Sequence, residues 1–187
     1  MKYNRQQHIL EFEQNKNTKY LLFWGHTPYK DGSTGKRCFS QWWASPFRVG
    51  GMIYNTAEHW MMAEKARLFN DKKHLEKIIQ CNSPAEAKQW GRKVINFKPE
   101  KWDAHKYEIV KQGNIHKFSQ NLELKAFLLN TKHQVLVEAS PRDRIWGIGM
   151  GASNDNAENP LLWRGDNLLG FALMEVRDEL IERDNRD

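Results

Sequence analysis

The periods at which apolar positions recur divide the 187 residues into elements. Residues 1–19 are rich in Gln, Asn and Lys, and Ile9, Leu10 and Phe12 allow a short helix at most. Residues 20–24 form a compact apolar run that predicts a strand. The turn-rich HTPYKDGSTGK follows, and CFSQWWASPF continues on an extended or irregular path. Residues 47–54 predict a small hairpin turning at Gly50 and Gly51. From Asn55 the spacing is helical to about Phe69, with Asn55 and Glu58 at capping-box separation. A second helix follows Asp71, and a third opens at Ser83 and Pro84 with Glu86 closing another box. A fourth opens at Pro99, carries Trp102, Ile109 and Val110, and ends near Gly113; a fifth covers about 122–129. Residues 135–137 predict a short buried strand, whereas 146–151 are too interrupted by glycine for helix or strand. In the last helix, 167–182, Leu169, Leu173, Val176 and Leu180 share one face. The expected fold is mainly α and multihelical, with a few short β-strands. One domain, 20–187, follows an accessory head, 1–19.

Composition narrows the class. Hydrophobic residues at 40% and charged residues at 28% fit a globular chain, and no apolar run approaches the roughly 18–20 residues of a membrane span. The first twenty residues lack the apolar core of a secretory signal, so a cytoplasmic location is expected, with no membrane partner. Cys38 and Cys81 have no ligand spacing, which points to neither a disulfide scaffold nor a zinc site. Net charge is +6 but uneven: residues 1–120 hold 21 basic against 11 acidic side chains, and residues 121–187 hold 8 against 12. The excess suits an anionic partner, phosphate or nucleic acid, although a solvated lysine-rich surface explains it equally. Eight Trp offer flat faces for a ligand as readily as they fill a core.

Chemistry concentrates in two segments. At about 100° per residue, Glu58, Met62, Lys65 and Phe69 fall in one stripe of the helix after Asn55, while Glu64 and Arg67 lie on the polar side. A carboxylate and a lysine on a methionine face point to function. Structural alternatives stand beside it: Glu58 as the capping-box acid, and Lys65 with a buried stem and an outward ammonium. Burial lowers a lysine pKa and leaves free amine to attack an electrophilic carbon, a shift that a neighbouring carboxylate opposes. The second segment, LVEASPRDRIWGIGMG, runs from a strand into a loop holding Asp143, Trp146 and Gly147, where glycines permit close backbone approach. G-I-G-M-G is not a dinucleotide fingerprint, no H-x-x-x-H pair occurs on a helix, and no G-x-S-x-G elbow exists. No metal or cofactor is expected.

FSQWWASPF, YNTAEHWMMAEKARLF, GRKV, LVEASPRDRIWGIGMG and WRGDNLLGFALMEVRDEL, in that order and spacing, resemble the NADAR or YbiA-like family over roughly residues 21–181. The resemblance implies a compact multihelical N-glycosidase that cleaves the bond between ribose C1 and a base-like amine. Two substrate classes are associated with it: phosphorylated aminopyrimidine intermediates of riboflavin biosynthesis, and ADP-ribose on guanine in nucleic acid. It further implies Lys65 as a nucleophile forming an imine with the ribose carbon, Glu58 as an acid, and Asp143 as a third catalytic group; direct attack by water with a single carboxylate would serve as well, and the sequence leaves both open. Trp146 and Gly147 in the later motif, Trp90 and Arg92 in the W-G-R-like string, and Trp24 and Arg37 are the candidate substrate contacts. The leading expectation is a hydrolase for the small phosphoribosyl metabolite. Alternatives are removal of ADP-ribose from DNA and a non-catalytic ADP-ribose or nucleotide-binding module.

Overall fold

The computed structural model describes residues 1–14 and 17–186. Residues 15 and 16 of the expected head, and Asp187, lie outside the described residues. Among those described, the chain is mainly helical and forms two compact units, one of Met1–Ser40 with Glu123–Asp187 and the other of Gln41–Leu122.

The first unit is organised by β1 (Tyr20–Phe23), paired in parallel with β4 (Val135–Glu138) in the register Tyr20 to Val135 through Phe23 to Glu138. A parallel pair cannot be closed by a tight turn, and the chain between these strands contains all of the second unit. Helix α7 (Leu168–Asp184) packs on β4. Its expected face is buried, Leu169, Leu173, Val176 and Leu180 each being at most 1% exposed, but burial runs continuously from Leu169 to Arg177. Contact with β4 is close: a Cβ on Gly170 would lie 2.1 Å from the Leu136 carbonyl oxygen. Asn167, at positive φ and fully buried, accepts from the Glu138 amide at 2.9 Å and donates to the Leu136 carbonyl at 2.9 Å, so its amide splints β4. A 3₁₀ turn at Lys36–Phe39 replaces the irregular path expected there, and its Phe39 meets Phe23 and Phe127 at 5.4 Å each. Helix α6 (Leu122–Asn130) buries Leu124 and Leu128.

The head forms α1 (Arg5–Glu13), capped by Asn4, and it docks on α7. The Lys2 amide donates to Glu175 at 2.6 Å, and the Lys2 ammonium and Tyr3 hydroxyl meet Asp178 at 2.6 and 2.7 Å.

In the second unit, β2 (Phe47–Val49) and β3 (Met52–Tyr54) form the expected hairpin, with Gly50 and Gly51 both at positive φ, as a two-residue primed turn requires. Helix α2 (Ala57–Leu68) is central and packs against α3 (Lys72–Gln80), α4 (Pro84–Arg92) and α5 (Pro99–Gln120). Ser83 and Glu86 form the expected capping box of α4. Helix α5 runs past Gly113 instead of ending there, and packing explains why. A Cβ at Gly113 would stand 2.3 Å from Trp60 Cδ1, so the missing side chain lets α5 close on α2. The Trp60 indole donates to the Ile109 carbonyl at 2.8 Å. On the α4 side, Gly91 leaves room for Met62, whose sulfur would sit 2.0 Å from an added Cβ.

Candidate active site on helix α2

Glu58 and Lys65 owe their positions to how α2 begins. The N-cap is Thr56, one residue after the expected Asn55; its hydroxyl oxygen accepts from the His59 amide at 3.4 Å. His59 Nε2 lies 3.2 Å from the Cys81 carbonyl, which can only accept, so Nε2 carries the proton and Nδ1 accepts from the Thr56 hydroxyl at 2.8 Å. Burial lowers the His59 pKa, in keeping with this neutral ring. Glu58 therefore falls on the second helical residue, outside capping-box geometry, and the capping-box explanation of its carboxylate is removed. It is 2% exposed, and its amide donates to the Gln41 carbonyl at 2.9 Å. The positive end of the helix dipole favours the ionised carboxylate there, which opposes the protonated form that an acid role needs.

Lys65 stands seven residues further, about 10 Å along the axis at about 1.5 Å per residue. That exceeds the three- or four-residue spacing at which helical side chains pair directly. Its ammonium nitrogen sits 4.3 Å from the Phe97 ring centroid and 5.6 Å from that of Trp102. Lys65 is half-buried, and among the described residues no carboxylate forms an ion pair with it. Desolvation lowers its pKa, and the Arg92 guanidinium lowers it further. The stem does not simply carry its charge into water, because the amine rests on aromatic faces. On the polar side, Arg67 pairs with Glu64 and donates to the Tyr54 hydroxyl at 2.7 Å, as the helical period required.

Trp90, half-buried at the end of α4, has the Lys77 and Lys93 ammonium groups 4.1 and 4.5 Å from its ring centroid. A base stacking on this ring would displace lysines and meet their charge. Arg92 is exposed. Phe97, which is 40% exposed, carries no signal of its own in the sequence, Lys77 and Lys93 stand out only as part of the lysine-rich middle that could meet substrate phosphates, and Trp102 reads as a helix residue without a role. Lysines beside tryptophans were the available signal, although distant positions had to be brought together.

The other candidates belong to the first unit. Asp143 Oδ1 accepts from the Ile145 and Trp146 amides at 2.9 and 2.7 Å, so this carboxylate shapes its own loop. Gly147 is buried where a Cβ would lie 2.8 Å from the Glu138 carbonyl and 3.2 Å from that of Asp143. Close packing within the loop thus demands this glycine whatever binds nearby. Trp146 is half-buried, Trp24 is 59% exposed, and Arg37 donates to the Thr27 carbonyl at 2.9 Å with its guanidinium 4.6 Å from the Tyr29 ring. Among the described residues no group of three or more His, Cys, Asp or Glu side chains could hold a metal ion, and no helix is long and apolar enough to cross a membrane.

Known proteins resemble the chain over most of its length. The chain is 43% identical over 166 residues to N-glycosidase R617 of Acanthamoeba polyphaga mimivirus, covering 86% of this chain and 96% of the relative. It is 34% identical over 142 residues to N-glycosidase YbiA of Escherichia coli K12, covering 76% of this chain and 80% of the relative. The NMR structure of the E. coli protein YbiA superposes with a TM-score of 0.72 at 29% identity, over 92% of this chain and 90% of that one. The class these relatives define is a hydrolase of the glycosidase type. Residues 10–181 match the NADAR domain, and the chain belongs to that family.

Proposed function

We propose that the protein hydrolyses the N-glycosidic bond between ribose C1 and the amine of a phosphorylated aminopyrimidine intermediate of riboflavin biosynthesis, with Lys65 as nucleophile and Glu58 as acid. One observation carries the reading: a half-buried lysine without a carboxylate partner rests on Phe97 and Trp102, with its pKa lowered. Desolvation and the Arg92 charge raise the share of free amine above that of an exposed lysine, and the free amine is the form that attacks carbon.

In the proposed sequence the C1–N bond breaks, its electron pair leaves with the amine, and protonated Glu58 supplies the proton that neutralises the leaving group. The Lys65 lone pair bonds to C1, and one N–H proton of the adduct passes to the ring oxygen as the C1–ring oxygen bond breaks, opening the sugar to a protonated imine. Water adds to the imine carbon, the C–N bond breaks to release the sugar aldehyde and the free lysine amine, and the proton set free returns to the Glu58 carboxylate. The sum is substrate plus water giving free amine and ribose phosphate.

A second reading, removal of ADP-ribose from guanine in DNA, draws on Lys77 and Lys93 around Trp90 and on the basic excess of residues 1–120. Base release from the phosphoribosylaminopyrimidine and from an ADP-ribosylated guanine oligonucleotide, measured in parallel over a salt series, separates the two. Turnover of the metabolite with shallow salt dependence supports the first. Preference for the oligonucleotide, falling steeply with salt, supports the second. Binding of either without turnover contradicts both and supports a non-catalytic module.

A further inference from the structure

The first unit contains a cavity of about 680 Å³ between α1, the chain entering β1, the turn between α6 and β4, and α7. None of the residues assigned to the proposed reaction lines it. Its volume falls within the roughly 300–1,000 Å³ of small-molecule sites. Val135, Phe171 and Met174 supply apolar wall, and Lys19, Lys132 and His133 stand exposed where the cavity lining meets solvent.

Arg177 gives the cavity its chemistry. This arginine is 3% exposed, yet it lines the space. Its Nη1 donates to the Thr131 hydroxyl at 2.8 Å and to the Gln134 carbonyl at 2.9 Å, both neutral acceptors. Its Nε is buried and meets no acceptor among the described residues. The adjacent carboxylate, Asp178, is occupied by the Lys2 ammonium and the Tyr3 hydroxyl. A buried guanidinium normally has an anionic partner, because burial otherwise leaves its charge uncompensated. Thr131 and Gln134 hold this one in place, and Asp178, which also lines the cavity but is shared with Lys2 and Tyr3, offsets its charge by less than burial costs it.

We propose that this cavity is a second binding site, taking a small metabolite that carries a phosphate or carboxylate group, with the oxyanion compensating Arg177 and the apolar part lying against Phe171 and Met174. Tyr3, Asn4, Gln7 and His8 of the lining precede the NADAR match, so this wall of the site is built by the N-terminal segment. The charge of Arg177 is permanent near neutral pH, and its planar fork suits both oxyanions.

Calorimetric titration of the whole chain with AMP, glycerol 3-phosphate and citrate tests the proposal. The expected result is saturable one-to-one binding of at least one probe, with phosphate or citrate preference naming the ligand class. Lys65→Ala should retain this binding, which separates it from the proposed active site. Arg177→Met should weaken it at least tenfold. Because Arg177 also anchors the turn before β4, the exposed pair Lys19→Glu and Lys132→Glu provides a second measure, expected to weaken binding at least threefold without changing thermal stability. No binding of any probe, or affinity unchanged in both the Arg177 variant and the double variant, would overturn the site.

Discussion

The ammonium of Lys65 lies 4.3 Å from the centre of the Phe97 ring, across a helix and a loop of one compact unit. A ring face attracts a cation, but the apolar cover around the amine also strips it of water, and here desolvation dominates and lowers the pKa. Charge and nucleophilicity are thus set by the same neighbours.

Phe97→Ala should relieve that desolvation. The Lys65 pKa rises, less free amine is present at neutral pH, and the limb of the pH–rate profile that reports lysine deprotonation moves to higher pH. Each unit of movement costs tenfold in free amine when the pH lies well below the pKa. Arg92→Ala should shift the limb the same way by a smaller amount, since it removes a repelling charge that solvent already screens. Profiles of kcat against pH for the two variants check both directions.

Variants of Glu58 and Thr56 separate the proposed catalytic role from capping. Thr56→Ala should lower stability by about 1 kcal/mol in urea denaturation, the ordinary loss of an N-cap, with kcat largely retained. Glu58→Gln should keep the helix start and lower kcat by about 10²- to 10⁴-fold, the usual range for a general acid. A Glu58→Gln enzyme with normal turnover would return this residue to a structural role.

Asp71 predicts acid sensitivity. Burial alone would raise its pKa, but amide hydrogen bonds from Ile95 at 2.9 Å and His74 at 3.1 Å, together with the His74 ring at 2.7 Å, hold it below the ordinary carboxylate value. With the folded pKa depressed, the stabilisation is complete above the unfolded value of about 3.9 and is lost as pH falls through the folded value. Asp71→Asn should cost about 2 kcal/mol at pH 7, the scale of charge-assisted hydrogen bonds. The gap from wild type should close below pH 4 in denaturant titrations.

Gly113→Ala opposes two effects of known size. Alanine favours a helix interior by about 1 kcal/mol, but the new methyl would meet an indole fixed by its bond to the Ile109 carbonyl. Overpacking of this kind costs about 1–3 kcal/mol. Net destabilisation in thermal or urea unfolding is expected, and a stabilised variant would show that α5 can retreat from Trp60.

These particulars show what local sequence can carry. Ser83, Pro84 and Glu86 announced α4 because a capping box lies within four residues, and Gly50 with Gly51 announced the hairpin because a primed turn needs two positive φ values. Gly113 misled because its reason is Trp60, 53 positions away in the chain. The Asn55 and Glu58 spacing misled because Thr56 supplied a competing cap one residue on. Within the candidate site, helical period singles out Glu58 and Lys65 as candidates. The environment that tunes Lys65 comes from Phe97 and Trp102, which tertiary packing alone brings to it.

The central claim is a covalent bond between Lys65 and ribose C1. Incubating the enzyme with the phosphoribosylaminopyrimidine and sodium borohydride, followed by peptide mass analysis, tests it directly. The account predicts a reduced sugar-phosphate adduct on the peptide containing Lys65, absent without substrate and absent from Lys65→Ala, which should also be inactive though folded. Undiminished turnover with no adduct, or a folded Lys65→Ala enzyme with wild-type activity, would contradict it.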